Sequence, residues 1–415
     1  MKGFGERQQE EVYLAGARGS LSPIPFGAAL EERARHSMSP RAFAYVAGGA
    51  GLESTIATNR AAFDRMRIVP RVFRDVSARD TSVSLFGRTL PTPLLLAPIG
   101  VLELVHPEAD LAVAQAAAAE GVPMIFSNQA SVSMETCAAV MGDSPRWFQL
   151  YWCVSNDLVA SFVRRAEAAG CDAIVATLDT TLFGWRPRDL ELGYLPFIEG
   201  KGLAQYTSDP VFNALVEEAE APPLGPPSFR GLRTLFSLAR AYPGSFLANL
   251  RSPGPRAAVR LFTEIYSRPS LQWSDLTFLR ELTPLPILLK GVLHPDDARA
   301  ALDHGVDGLV VSNHGGRQVD GAIASIDALP AVVEVVGGRV PVLLDSGVRS
   351  GADVFKALAL GATAVLVGRP YVYGLAIAGE DGVRRVVRNL TAEFDLTLGL
   401  AGYTSVAELG PQCLA

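Results

Sequence analysis

"VPVLLDSGVRSGADVFKALALGATAVLVGRP", residues Val340–Pro370, contains the pattern that decides the fold. It starts with a continuous apolar run, passes through a turn of Gly and Arg, continues as a helix-like run ending in Gly361, and closes on a second apolar run. Short apolar runs that do not alternate with polar residues are typical of strands buried on both faces, as in parallel sheets. The stretch therefore predicts a strand–helix–strand unit, with Gly361 at the helix end that glycine favours.

The same unit repeats along most of the chain. Helix-like segments such as "DLAVAQAAAAEG" and "DLVASFVRRAEAAG" separate the apolar runs. Eight strand-like runs cover residues 93–100, 122–128, 147–152, 173–179, 286–292, 308–313, 340–347 and 364–370. Eight strands that are each followed by a helix predict an α/β protein with a single (β/α)8 TIM barrel over 91–415. An open doubly wound sheet is the alternative, but no GxGxxG turn follows the first strand.

Two regions lie outside the repeat. Residues 1–90 predict an N-terminal extension of helices ("SPRAFAYVAGGAG", "TNRAAFDRM") and a hairpin ("TSVSLFGRTL") that close the barrel. Residues 187–275 form a long insertion between strands 4 and 5, which includes "EEAEAPPLGPPSFRG" and "AYPGSFLANLRSPGP". We expect these Pro- and Gly-rich stretches to be too irregular for regular elements. Insertions on the loop side of a barrel are typically lids or oligomer contacts.

Composition narrows the functional classes. The 415 residues have a formal net charge of −6, and no basic tract offers a surface for nucleic acid. The sequence has no run of 18 apolar residues that would predict a membrane span, and its first residues lack the apolar core of a signal peptide. The four cysteines form no CxxC pair, so we expect a cytoplasmic protein without disulfides and without a metal site.

The carboxyl ends of the strands are where a barrel of this type gathers its active site. Polar or ionisable residues follow nearly every predicted strand. The last two strands end in Gly/Arg pairs, Gly347 with Arg349 and Gly368 with Arg369. Glycine lets backbone N–H groups approach an anion and arginine supplies charge, so these turns predict a phosphate site.

Two further strand ends suggest chemistry. Lys290 closes a wholly apolar run, so it is either a Schiff-base nucleophile, as in an aldolase, or a fixed cation beside a ligand. His314 follows the sixth strand and is the natural proton acceptor, with Asp179 available to orient it. Arg186 and Arg317 could hold a substrate carboxylate between them.

These residues resemble a known family, the FMN-dependent 2-hydroxy-acid oxidases, which includes glycolate oxidase, lactate oxidase, lactate 2-monooxygenase and mandelate dehydrogenase. "SNHGGRQ" (312–318) is the most specific motif, and "APIG", "LDTTLFGWRPRDL", "LPILLKGV", "DSGVRSGADVFKALALGA" and "VGRP" accompany it at the family's spacing. The likeness extends from "SPRAFAYVAGGAG" to "AGYTSVAEL". It implies a TIM barrel that binds FMN and oxidises a small 2-hydroxy acid.

The resemblance also implies a role for each residue. His314 is the base with Asp179 beside it, Arg186 and Arg317 clamp the carboxylate, and Tyr45 and Tyr151 donate hydrogen bonds, Tyr151 at the reacting centre. The implied partners of the flavin ring are Pro98, Gly100, Ser127, Gln149, Thr177, Lys290 and Ser312. The implied ribityl-phosphate site is Asp345, Gly347, Arg349, Gly368 and Arg369.

Within the family the likeness is nearest to lactate 2-monooxygenase. Gly100 stands where oxidases often carry alanine, and "FGWRPRDL" and the long insertion also resemble the monooxygenase. That likeness implies that L-lactate and O2 yield acetate, CO2 and water because the keto acid is retained. An oxidase that releases the keto acid and H2O2 is the alternative. The segment around "RTLFSLARAYPGSFLANL" and the pair Asn128–Gln129 depart from the family pattern. The family also implies a homo-oligomer, a tetramer or octamer.

Overall fold

The fold comes from a computed structural model that describes residues 2–20, 22, 24–223 and 228–415. Part of the expected irregular stretch "EEAEAPPLGPPSFRG", residues 224–227, lies outside the described residues. No helix among the described residues is both long and apolar enough to cross a bilayer.

Helices and a hairpin precede the barrel. Helix α3 begins as its sequence predicts, because the hydroxyl of Ser39 accepts a hydrogen bond from Ala42 N at 3.2 Å and Pro40 occupies the first turn. The polar helices α1 and α2 were not predicted; α1 packs along α18, the last helix of the chain (Arg369–Leu400). The elements are α1 (Phe4–Ala17), α2 (Ala28–Ser37), α3 (Pro40–Ala47), α4 (Ser54–Arg65), β1 (Val83–Leu85) and β2 (Arg88–Leu90).

Eight parallel strands close into a barrel. Each coincides with a predicted apolar run, and β10 pairs with both β3 and β9. The predicted TIM barrel is thus confirmed, and the open-sheet alternative is wrong because the sheet has no edge. The strands are β3 (Leu94–Leu96), β4 (Met124–Phe126), β5 (Arg146–Tyr151), β6 (Ile174–Thr177), β7 (Ile287–Val292), β8 (Gly308–Val311), β9 (Val342–Leu344) and β10 (Ala364–Val367).

The remaining helices surround the barrel or belong to the insertion. Gly121, directly after α5, adopts the left-handed conformation that the glycine-ended runs predict. In chain order they are α5 (Ala109–Glu120), α6 (Met134–Met141), α7 (Asn156–Ala168), α8 (Pro187–Glu191), α9 (Ala204–Thr207), α10 (Pro210–Glu218), α11 (Phe229–Ala241), α12 (Phe246–Arg251), α13 (Gly254–Ile265), α14 (Asp275–Leu282), α15 (Pro295–Asp303), α16 (Ser325–Val336), α17 (Gly351–Ala359) and α18 (Arg369–Leu400).

The interior of the barrel is filled with side chains at its amino-terminal end. Trp147, Leu288 and Leu343 belong to one buried cluster with Val83 and Leu85 of the β1–β2 hairpin. The hairpin therefore covers this end of the barrel. A cavity remains at the opposite end, where the strands finish.

The insertion is more regular than its composition suggests. The expectation that "AYPGSFLANLRSPGP" is irregular is wrong, because this stretch contains α12 and the start of α13. Proline and glycine mark the boundaries between short helices here. The side-chain amide of Asn249 donates to the carbonyl oxygens of Ala239 and Tyr242 at 3.1 and 2.8 Å, and Phe236 stacks on Phe246. Tertiary contacts thus stabilise helices that are individually short.

Candidate active site

A cavity at the carboxyl ends of the strands brings most of the predicted site residues together. The lining includes Tyr45, Pro98, Gly100, Tyr151, Thr177, Arg186, Lys290, His314, Arg317, Asp345, Gly347, Arg349, Gly368 and Arg369. Four other predicted residues lie behind this lining: Ser127, Gln149, Asp179 and Ser312.

His314 and Asp179 form a pair at the cavity wall. His314 Nδ1 lies 2.9 Å from Asp179 Oδ1, and the two side chains are only 18% and 12% exposed. Burial lowers the pKa of His314 below its ordinary value, against the opposing effect of Asp179. Burial would raise the pKa of Asp179, but the positive potential of His314 and Lys290 outweighs it and lowers that pKa. The lowered pKa of His314 favours a neutral imidazole, and because Nδ1 contacts Asp179, Nε2 is the nitrogen that could accept a proton.

Arg186 and Arg317 both line the cavity and lie within electrostatic reach of the buried Asp189. Among the described residues, neither Arg186 nor Arg317 forms a salt bridge with a carboxylate. Arg317 Nη1 donates to the carbonyl oxygens of Tyr45 and Gly48, and its guanidinium lies 5.1 Å from the ring centre of Tyr45. Burial and the neighbouring Arg317 lower the pKa of Arg186 to about 10. Two poorly compensated cations favour an anionic ligand, such as a carboxylate.

Lys290 is fully enclosed at the end of β7. Its Nζ pairs with Asp345 Oδ2 at 3.0 Å and donates to Ser312 Oγ at 2.8 Å. Burial would lower the pKa of Lys290, but Asp345 and Asp179 outweigh it and raise that pKa. A protonated amine has no lone pair with which to attack a carbonyl group. The ion pair with Asp345 and the raised pKa therefore favour a fixed cation over a Schiff-base nucleophile at Lys290.

Buried polar atoms without partners mark where the flavin ring would fit. Gln149 Nε2 and Thr177 Oγ1 are buried and have no hydrogen-bond partner in the described structure. Gln149 is oriented from its other side, since its Oε1 accepts from Asn128 N at 3.0 Å and lies 3.5 Å from Ser127 Oγ. The pyrimidine edge of FMN carries the carbonyl and N–H groups that such atoms require. The donors beside Lys290 therefore fit this ring.

The phosphate side is formed by the ends of β9 and β10. Gly347 has φ +96°, and a Cβ there would lie 3.1 Å from the carbonyl oxygen of Asn59, so only glycine suits this turn. Arg349 and Arg369 line the cavity, and burial lowers the pKa of Arg369 to about 9. Gly368 directly precedes α18, so the positive end of this helix dipole lies at the phosphate side of the cavity.

The structure adds detail at two predicted contacts, Asp345 and Gly100. Asp345, expected in the ribityl-phosphate site, is paired with Lys290 and accepts from Ser346 Oγ at 2.7 Å. As an anion it suits a ribityl hydroxyl and would repel a phosphate. Gly100 lines the cavity, and a Cβ there would lie 2.9 Å from the carbonyl oxygen of Gln129. This loop contact is a second reason for glycine at this position, beside the predicted proximity to the flavin.

Several lining residues were not predicted. Tyr266, at the end of α13, and Phe183, beside Arg186, bring aromatic side chains from the insertion and its approach. Gln318 Nε2 donates to the carbonyl oxygen of Asp179 at 2.8 Å, and Ser346 Oγ accepts from Gly315 N at 2.9 Å. Gln318 and Ser346 directly follow the predicted residues Arg317 and Asp345, so their place in the sequence could have indicated that they line the cavity. Tyr266 has no such signal, because only the folded insertion carries it to the cavity.

Comparisons with known proteins agree with this geometry. Residues 34–415 match the family described as FMN-dependent dehydrogenase. The chain is 42% identical to an L-lactate oxidase of Lysinibacillus sphaericus, over 93% of this chain and 91% of the relative. It is 43% identical to an FMN-dependent alpha-hydroxy acid dehydrogenase of Penicillium citrinum, over 93% and 89%. A crystal structure of mandelate oxidase superposes with a TM-score of 0.75 at 37% identity, covering 94% of this chain and 97% of that one. The chain therefore belongs to the family of FMN-dependent 2-hydroxy-acid oxidases and dehydrogenases, and FMN is its cofactor.

Proposed function

We propose that this enzyme oxidises small L-2-hydroxy acids, L-lactate first among them, with O2 as the electron acceptor. The observation that carries the proposal is the His314–Asp179 pair, with Nδ1 and Oδ1 2.9 Å apart, in one cavity with the guanidinium groups of Arg186 and Arg317, which form no salt bridge among the described residues. A base and a carboxylate clamp within one cavity are what the oxidation of a CHOH group next to a carboxylate requires.

In this proposal the arginines bind the substrate carboxylate and thereby orient the neighbouring carbon. His314 accepts one proton from the reacting CHOH group at Nε2, because Nδ1 is held by Asp179. Asp179 then stabilises the imidazolium cation that results. In this proposal Tyr45 and Tyr151, which line the same cavity, donate hydrogen bonds to the substrate.

FMN, when bound, would accept the two electrons and the second proton of the CHOH group, with O2 as the final acceptor. Gln149, Thr177 and Lys290 would hold its ring, with Lys290 supplying a positive charge that stabilises the anionic reduced form. Gly347, Arg349, Gly368 and Arg369 would hold its phosphate.

The main proposal is an oxidase that converts lactate and O2 to pyruvate and H2O2. The second candidate is a lactate 2-monooxygenase, which forms acetate, CO2 and water from the same reactants. The insertion favours retention of the keto acid, because Tyr266 closes one side of the cavity. Gly100 does not separate the two candidates, because its contact with Gln129 also favours glycine.

Product analysis separates these candidates. Purified FMN-loaded enzyme is mixed with L-lactate in air, and pyruvate, H2O2, acetate and CO2 are quantified, with (S)-mandelate as a second substrate. Equimolar pyruvate and H2O2 support the oxidase, whereas acetate and CO2 without free H2O2 support the monooxygenase. If neither acid bleaches the flavin absorbance without air, the proposal of a lactate-type substrate is wrong.

We also propose that the protein is a homo-oligomer, a tetramer or octamer. Val72 and Phe73 support this assembly, because they are 78% and 106% exposed on the segment between α4 and β1. Apolar side chains displayed together in this way favour contact with another protein surface. Light scattering of the purified protein measures its mass directly, and a monomer would contradict the proposal.

A further inference from the structure

The backbone at His314 has an unusual conformation. His314 has φ +58°, and it is followed by Gly315 at +65° and Gly316 at +76°. Glycine adopts these left-handed values readily, but a residue with a Cβ does so at a cost in free energy. Such a residue keeps the conformation only where its surroundings impose it. The contacts that impose it are therefore part of how the imidazole is placed.

The neighbouring Asn313 provides these contacts. Its Oδ1 accepts from Gly316 N at 3.1 Å, which closes the turn across His314. Its Nδ2 donates to the carbonyl oxygen of Ile323 at 3.1 Å. Because a backbone N–H can only donate and a carbonyl oxygen can only accept, these two bonds fix which end of the Asn313 amide faces which way.

Asn59 completes this arrangement from the N-terminal extension. Asn59 Nδ2 donates to Asn313 Oδ1 at 2.9 Å, and Asn313 Nδ2 donates to Asn59 Oδ1 at 2.8 Å. The two side chains are 2% and 5% exposed, so water does not compete for these bonds. Asn59 Oδ1 also accepts from Ser325 N, the first residue of α16. Asn59 thus ties both ends of the His314 loop to α4.

We propose that Asn59 is a positioning residue for the reaction, which acts through Asn313 to hold His314 in its left-handed conformation. Asn59 does not line the cavity, so it has no contact with substrate or FMN through which to act directly. The inference rests on the proposed function, in which His314 is the base. It makes the N-terminal extension part of the catalytic apparatus.

The experiment compares FMN-loaded Asn59→Ala, Asn313→Ala and the double variant with wild type. L-lactate is added without air, and the rate of flavin bleaching, the apparent lactate KM and the FMN dissociation constant are measured. We expect Asn59→Ala to slow bleaching about 10- to 100-fold, the scale that a displacement of about 1 Å produces. KM and FMN affinity should stay within about threefold. Asn59→Ala should slow the Asn313→Ala enzyme by less than it slows wild type, because the two variants share the loss of the Asn59–Asn313 bonds and differ only in the bond of Asn59 to Ser325 N.

Two further variants make the result specific. Asn59→Asp keeps the shape and the acceptor but loses the donor to Asn313, and it should slow bleaching even if Asn59→Ala fails to fold. Arg65→Ala is the matched control, since Arg65 also joins α4 to α16, through Asp327 at 2.7 Å, but at the exposed surface. Arg65→Ala should bleach at the wild-type rate.

The inference is overturned if Asn59→Ala and Asn59→Asp bleach as fast as wild type. It is equally overturned if both variants bind FMN more weakly and have a higher lactate KM as well as a slower bleaching rate, because that pattern indicates that the whole site is less ordered. His314→Ala separates the two levels of the argument. If His314→Ala bleaches rapidly, the proposed function itself fails; if it is inactive while the Asn59 variants are normal, only the role of Asn59 fails.

Discussion

Replacing Asp179 with asparagine tests the electrostatics of the proposed base most directly. Asparagine has nearly the same shape as aspartate and can still accept a hydrogen bond from His314 Nδ1, but it has no charge. The pair is 2.9 Å apart and mostly buried, so solvent screens it weakly. The substitution therefore removes the stabilisation of the imidazolium cation and leaves the packing intact.

The expected magnitude follows from the type of bond. Hydrogen bonds to charged groups contribute about 1.5–3 kcal/mol, and each 1.4 kcal/mol corresponds to about tenfold in rate. Asp179→Asn should therefore slow anaerobic flavin bleaching by L-lactate about 10- to 150-fold. The FMN dissociation constant should be nearly unchanged, because Asp179 lies behind the cavity lining.

The pH dependence of kcat/KM gives a second, independent test of the charge on Asp179. The free enzyme needs neutral His314, so kcat/KM rises with pH through the pKa of that residue. Burial already lowers this pKa, and Asp179 opposes the effect by favouring the charged form. Without the carboxylate the pKa falls further, so the acid limb of the profile should move to lower pH. Asp327→Asn, at a surface carboxylate, is the control. A bleaching rate within twofold of wild type, or an acid limb moved to higher pH, would refute the reasoning.

Three further predictions concern buried charges. Lys290→Met should lower the free energy of unfolding by about 3–5 kcal/mol, because it leaves Asp345 unpaired. Adding Asp345→Asn should restore most of that stability in urea titrations but not the bleaching rate; a restored rate would contradict the role of the cation. Arg186→Lys should lower kcat/KM for L-lactate about 10- to 150-fold, since lysine cannot bind a carboxylate bidentately; an unchanged KM would argue against the clamp. Burial raises the pKa of Asp110 to about 7, so the native state binds more protons than the unfolded state up to that pH. The protein should therefore lose roughly 2–3 kcal/mol of stability between pH 5 and 8. Asp110→Asn should remove this part of the pH dependence of urea unfolding, and an unaltered dependence would contradict the raised pKa.

The barrel could be predicted from the sequence because its signals are local. Each strand is a continuous apolar run, and helices such as α5 end at a glycine that adopts the predicted left-handed conformation. Closure itself was not local information and needed the pairing of β10 with β3. The insertion was read as irregular because its helices are short and separated by Pro and Gly. Contacts such as those of Asn249 with the turn before α12 stabilise them, and no pattern of neighbouring residues reports such contacts.

The site divides in the same way. Residues at strand ends, such as Lys290 and His314, could be found because the fold puts all strand ends at one mouth. Tyr266 reaches the cavity only through the folded insertion, so nothing in its neighbours indicates the role. The sequence could not show the contact of Gly100 with Gln129, because Gln129 lies on the loop after the next strand and only the closed barrel brings the two loops together. Asn59 could not be found from the sequence, because a single asparagine in a helix belongs to no recognisable motif.

Helix α4 also contacts the phosphate side of the site, through the residue after Asn59. Arg60 Nη1 donates to the carbonyl oxygen of Gly347 at 2.5 Å and to Asp353 Oδ2 at 2.7 Å. Asp353 is 2% exposed and in turn accepts from the backbone N–H of Arg349 and Ser350 at 2.8 and 3.1 Å. Arg60 therefore supports the turn that is proposed to hold the FMN phosphate.

Neighbouring residues on one helix should consequently give opposite results. Arg60→Ala removes a charge-assisted hydrogen bond of at least about 1.5 kcal/mol, so it should weaken FMN binding about tenfold. The bleaching rate of the FMN-saturated enzyme should stay near wild type, because Arg60 does not touch the His314 loop. Arg60→Lys keeps the charge that pairs with Asp353 and should recover part of the affinity. Titration of the apoprotein with FMN measures the first effect, and stopped-flow bleaching at saturating FMN measures the second. If Arg60→Ala instead slows bleaching at full FMN occupancy, α4 acts on both loops as one rigid body, and the division of roles between the two residues is wrong.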